Sequence, residues 1–87
     1  MEVCYSPTFV KMFKVLPDAL QEEVVEKIRL FKNPIHHKSL KLHKLSGRLK
    51  DRYSFSVNYK TRIVFCYLAT KPRSAYLVAV GDHVVYD

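Results

Sequence analysis

The chain reads as an α+β protein: one strand, two helices, then an antiparallel meander of three strands, with the helix hairpin packed on one face of a small twisted sheet. Three observations predict this. Leu20, Val24, Ile28 and Phe31 recur at helical spacing in the first half of the chain. Strict alternation of apolar and polar residues takes over at Tyr53. Between the two regimes stand Asn33-Pro34 and Ser46-Gly47, both turn signals. With 87 residues and 48% hydrophobic content, the chain can build one two-layer core, so residues 1–87 are expected to form a single domain.

Glu2 to Tyr5 is the first strand. Ser6-Pro7 then reads as an N-cap followed by proline at the first helical position, where its missing N–H costs nothing. Phe9, Val10, Phe13 and Leu16 supply the apolar stripe of a first helix, and Pro17-Asp18 restarts the chain. In the second helix the acidic residues (Asp18, Glu22, Glu23, Glu26) come early and the basic ones (Lys27, Arg29, Lys32) late, as the helix dipole prefers. From Ile35 to Lys50 the pattern loosens. Leu40, Leu42 and Leu45 are expected to tether this segment to the core while Lys41, His43 and Lys44 point outward.

In the meander, Tyr53, Phe55, Val57 and Tyr59 share one face, with Ser54, Ser56, Asn58 and Lys60 on the other. Ile63, Phe65 and Tyr67 continue the apolar face, opposite Arg62, Val64 and Cys66. Lys71-Pro72-Arg73 is a turn, and Ala75 to Val80 forms a last, wholly apolar strand. Cys4 and Cys66 lie far apart, each flanked by apolar or aromatic residues, and are expected to be buried, reduced thiols. Nothing resembles a targeting signal or a membrane span, so a cytoplasmic protein without membrane contacts is expected. No paired Cys/His spacing suggests a metal, and no small-molecule cofactor is expected.

Charge is the strongest pointer to a partner. Seven of the fifteen Lys and Arg residues fall between Lys32 and Arg52, against one acidic residue, Asp51. Nearly all of the formal net charge of +7 is therefore focused on the segment joining the helices to the meander, together with three of the four histidines. Such a footprint suits a phosphate-rich partner, and Lys38, Lys41, Lys44, Arg48, Lys50 and Arg52 are the expected phosphate contacts. An acidic protein segment would suit the same patch. The chain closes on Gly81-Asp82-His83-Val84-Val85-Tyr86-Asp87, placing a histidine and a tyrosine at the tip of the last strand.

Three segments resemble the RelE/ParE superfamily of toxins from toxin–antitoxin pairs. His43-Lys44-Leu45-Ser46-Gly47 followed by Tyr53-Ser54-Phe55-Ser56-Val57 is similar to the family's "L-x-G … S-x-x-V" segment. Thr61-Arg62-Ile63-Val64-Phe65 is similar to its arginine-bearing strand, and Val80-Gly81-Asp82-His83 through Tyr86 to its "I-G-x-H … Y" ending. The likeness implies a RelE-like fold and a cognate antitoxin with an acidic segment. It implies one of two activities: RelE- and YafQ-like members cleave mRNA in the ribosomal A site, whereas ParE-like members poison DNA gyrase without hydrolysis.

For the nuclease branch the resemblance assigns roles. The attacking 2′-OH must lose a proton, the leaving 5′-oxygen must gain one, and cations must stabilise the phosphorane. His83 matches the C-terminal histidine and would serve as acid or base, which an imidazole titrating near neutrality can do. Arg62 matches the strand arginine and would hold the phosphate. Tyr86 matches the aromatic that stacks on a base. His43, four residues before Gly47, lies where the YafQ-like branch has a catalytic histidine, and is a candidate base. Two departures stand against this. Ser54 and Ser56 occupy a strand on which RelE-like nucleases carry lysines, and the YafQ-like branch has a histidine where Ser56 lies and an acidic residue near Lys60. A non-catalytic member, either a gyrase inhibitor or a relative that binds an antitoxin or nucleic acid, is therefore the alternative.

Overall fold

The computed structural model describes residues 1–47 and 51–82. Strand β1 (Glu2–Tyr5) is followed by helices α1 (Pro7–Lys14) and α2 (Asp18–Phe31), then a 3₁₀ turn at Pro34–His36. Four more strands follow: β2 (His43–Lys44), β3 (Tyr53–Ser56), β4 (Thr61–Leu68) and β5 (Ser74–Asp82). They form one sheet in the order β1-β5-β4-β3-β2, antiparallel except for the β1–β5 pair. The α+β architecture and the helix hairpin on one sheet face are as the sequence predicts. Sequence periodicity missed β2, because two residues are too few to show a period.

The N-terminal half is anchored by local chemistry. Ser6 caps α1, its Oγ accepting from Phe9 N–H at 2.9 Å, with Pro7 at the first helical position. The same hydroxyl donates to Val78 O at 2.9 Å, and Ser6 N–H donates to Leu77 O at 2.9 Å. Val78 is the extra residue of a bulge in β5, since Val64 pairs with Ala79 and Phe65 with Leu77. One serine thus starts the helix and satisfies the bulge carbonyl. At the other end of α1, Gln21 Nε2 lies 3.0–3.3 Å from the carbonyls of Phe13, Lys14 and Leu16. These are groups that a helix C-terminus leaves without internal partners.

Phe31 sits at the centre of the core. Its ring stacks on Phe55 at 4.3 Å between centroids and meets Phe65 edge-on at 4.8 Å. Phe9, Val24, Ile28, Leu40, Val57, Ile63, Ala75, Leu77 and Val80 complete the same buried cluster. The predicted alternation therefore holds through Val57 and then stops. Tyr59, expected on the core face, is 88% exposed. The cause is the Asn58 side chain, whose Oδ1 accepts from the N–H groups of Lys60 (2.9 Å) and Thr61 (2.8 Å) and turns the chain. The cysteines also differ from expectation. Cys4 is exposed and Cys66 only half-buried, because both flank Tyr76 on the sheet face away from the helices. Neither takes part in a disulfide.

Candidate functional site

The helices cover one face of the sheet, and the polar residues of the meander line the other. Cross-strand partners share a face, so the register places His43, Ser54, Val64 and Ala79 in one row across it. Ser56, Arg62 and Gly81 form the next. The shared face of Arg62, Ser54 and Ser56, expected from strand parity, is thus observed. His43 belongs there as well, brought in by the short edge strand.

His43 is held in a defined orientation. Its Nδ1 lies 2.9 Å from the Lys41 carbonyl, and its Nε2 lies 3.5 Å from Ser54 Oγ. A carbonyl only accepts, so the shared hydrogen is on Nδ1. Lys41 itself adopts φ 57°, the left-handed region, which is uncommon for a non-glycine residue and turns its carbonyl back toward the imidazole. Ser54 is 0% exposed, whereas His43 lies on the surface above it.

Arg62 is half-buried and engaged with its own turn. Its Nη1 donates to the carbonyls of Asn58 (2.6 Å), Tyr59 (3.2 Å) and Thr61 (3.2 Å). The guanidinium therefore lies over the β3–β4 connection. Ordinary strand spacing puts the His43 and Arg62 backbones about 12 Å apart across that face.

The basic segment divides between surfaces. Lys38, Lys41 and Lys44 are exposed and Arg52 is half-buried. Because β2 alternates, His43 faces the polar side while Lys44, opposite Tyr53, faces the helix side. Lys41, His43 and Lys44 are all exposed, as the sequence predicts, with Lys44 on the opposite side of β2 from His43. His83, Tyr86, Arg48 and Lys50 lie outside the described residues. His37, given no role from sequence, caps α2: its Nε2 donates to Phe31 O at 2.8 Å and its ring stacks on Phe31 at 5.1 Å. The link between His43 and Ser54 had no signal in the sequence, since Ser54 read only as a missing lysine.

Among the described residues, no group of three His, Cys, Asp or Glu side chains is placed to hold a metal ion. None of their helices is long and apolar enough to cross a membrane. A groove of about 560 Å³ runs between α1 and α2 on the far side of the molecule, lined by Phe9, Val10, Phe13, Val25 and Ile28, with Lys14 and Lys32 also on its wall.

A two-helix hairpin over a sheet of this order, with a parallel first strand, is the fold of the RelE/ParE toxins. A YoeB/ParE toxin from Agrobacterium tumefaciens superposes with a TM-score of 0.78 at 16% identity, covering 95% of this chain and 99% of that one. YafQ from E. coli gives 0.72 at 13% identity, over 98% and 96% of the two chains. The archaeal RelE of the RelE–RelB complex from Pyrococcus horikoshii gives 0.71 at 17% identity, over 93% and 92%. No protein-family model and no curated protein matches the sequence.

Proposed function

We propose that this chain is the toxin of a type II toxin–antitoxin pair, a metal-independent endoribonuclease that cuts mRNA in the ribosomal A site. The observation that carries the reading is the His43 imidazole, exposed on the sheet face away from the helices and held with Nδ1 2.9 Å from Lys41 O. His43 Nε2 takes the proton of the 2′-OH, whose oxygen attacks the adjacent phosphorus. The bond from phosphorus to the 5′-oxygen breaks, and His83 supplies the proton that oxygen needs. Products are a 2′,3′-cyclic phosphate and a 5′-hydroxyl. Arg62 stabilises the phosphorane, Tyr86 stacks on a neighbouring base, and Lys38, Lys41, Lys44, Arg48, Lys50 and Arg52 meet phosphates of mRNA and rRNA.

An antitoxin with an acidic, amphipathic segment is the proposed cellular partner. The solved neighbours include a RelE–RelB complex and a YoeB–YefM complex. The groove between α1 and α2 supports such a partner here, having an apolar floor with Lys14 and Lys32 at its margin to meet carboxylates. The site of action is the cytoplasm.

A second reading is favoured by Arg62, whose Nη1 is already engaged with three carbonyls, and by the serines beside it. On that reading the chain binds gyrase, an antitoxin or nucleic acid without cleaving. The test maps mRNA 5′ ends after brief induction of wild type, His43→Gln and His83→Ala. New ends inside translated codons with wild type alone support the nuclease. Growth arrest without new ends moves the target to gyrase or another protein. Neither ends nor arrest leaves a binding-only relative.

A further inference from the structure

The helix layer ends before the sheet does. Tyr53 and Tyr67 point to the helix side, packing against Phe65, and both remain half-exposed. The Tyr67 ring is fixed by its neighbours: Phe65 meets it edge-on at 5.2 Å and Tyr53 at 4.9 Å. Over its face lies the guanidinium of Arg73, with Cζ 4.3 Å from the ring centroid. Arg73 is exposed, and so are Lys71 in the same turn and Lys44 opposite Tyr53. Asp51, also exposed, is the only acidic residue of the sequence between Lys27 and Gly81.

We propose that Tyr67 and Arg73, with Tyr53 and Lys44 beside them, form a stacking platform for an unpaired base of single-stranded RNA, on the sheet face opposite His43. A guanidinium plane has two faces. Its Cζ lies over the Tyr67 ring, and an exposed Arg73 keeps guanidinium surface open to solvent, where a base can stack. Lys44 and Lys71 supply phosphate contacts on either side. The edge strand β2 joins the two faces, because His43 and Lys44 point to opposite sides of it. An RNA strand crossing that edge would place one nucleotide at His43 and a following one on the platform.

The proposal rests on the reading of this protein as an RNA-binding toxin, but its test does not depend on cleavage. The probe is a fluorescein-labelled uridine oligonucleotide, 2′-O-methylated so that it cannot be cut, followed by anisotropy at several salt concentrations. Stacking on one platform predicts saturable binding by wild type and about tenfold weaker binding by Arg73→Lys, which keeps the charge but loses the planar face. The slope of affinity against salt should stay unchanged in that variant. Tyr67→Leu should weaken binding to a similar extent, whereas Lys11→Gln, on the exposed side of α1, should not.

Wild-type affinity in both Arg73→Lys and Tyr67→Leu overturns the platform, as does equal affinity for a duplex of the same length. Absence of saturable binding by wild type overturns it too. Cleavage in the induction experiment stands or falls separately.

Discussion

Ser54 and His43 face each other across the β2–β3 pair, with the Ser54 hydroxyl 3.5 Å from Nε2 of the imidazole. That contact is long for a hydrogen bond, whereas the Lys41 carbonyl holds Nδ1 at 2.9 Å. The carbonyl therefore places the shared hydrogen on Nδ1. Ser54→Ala should lower stability by about 1 kcal/mol, the usual net worth of such a hydroxyl, and leave cleavage largely intact. A urea midpoint and the yield of new mRNA 5′ ends measure the two effects.

His43→Gln removes the proposed base while keeping side-chain polarity and reach. Loss of a positioned general base costs about 10²–10⁴ in rate, so cleavage should fall by that factor. Affinity for the antitoxin should hold. An undiminished rate would remove His43 from the mechanism.

Arg62 has two readouts. Its Nη1 closes the β3–β4 connection through three carbonyls, so Arg62→Ala should cost about 1–2 kcal/mol of stability. If Arg62 also meets the phosphate, Arg62→Lys should recover the charge but not the fork, leaving cleavage well below wild type. Activity restored in full by lysine would confine Arg62 to a structural role.

Ser6→Ala removes two bonds at once, the cap to Phe9 N–H and the donation to the Val78 carbonyl. A lost N-cap alone costs about 1 kcal/mol, and a bulge carbonyl left with one partner fewer adds to it. The denaturation midpoint should drop with an unchanged m-value, because the surface exposed on unfolding is the same.

Phe31→Ala tests the core. Phe31 is fully buried against Phe55 and Phe65 and carries the ring on which His37 stacks. Truncations of this kind cost about 3–5 kcal/mol, a large share of a small domain's stability. The variant should be mostly unfolded at physiological temperature by circular dichroism.

Much of the fold was legible in the order of residues because it rests on local chemistry. Ser6-Pro7 started α1, the Leu20–Phe31 spacing defined the buried stripe of α2, and alternation from Tyr53 to Val57 and from Ile63 to Phe65 defined the core face of the meander. Side-chain parity even predicted that Arg62 shares a face with Ser54 and Ser56, since period 2 is a property of the strand alone. Tyr59 was misplaced because one Asn58 side chain broke the period, a short-range event that an apolar pattern does not register.

The placement of the site was a tertiary decision. His43 joins the polar face through a two-residue edge strand that has no period of its own, and the serine hydroxyl nearest its Nε2 lies eleven residues away. Nothing between them in the sequence specifies the register; the β2–β3 pairing does. The same pairing turned Lys44 to the face opposite His43, a placement that the run of basic residues does not specify. Tyr53 and Tyr67 share the core face by alternation yet are half-exposed in the fold, because how far cover extends over a strand depends on packing, not on its period. Chain order carried the elements and their buried faces; only the meeting of edges and ends decided which polar groups came within reach of one another.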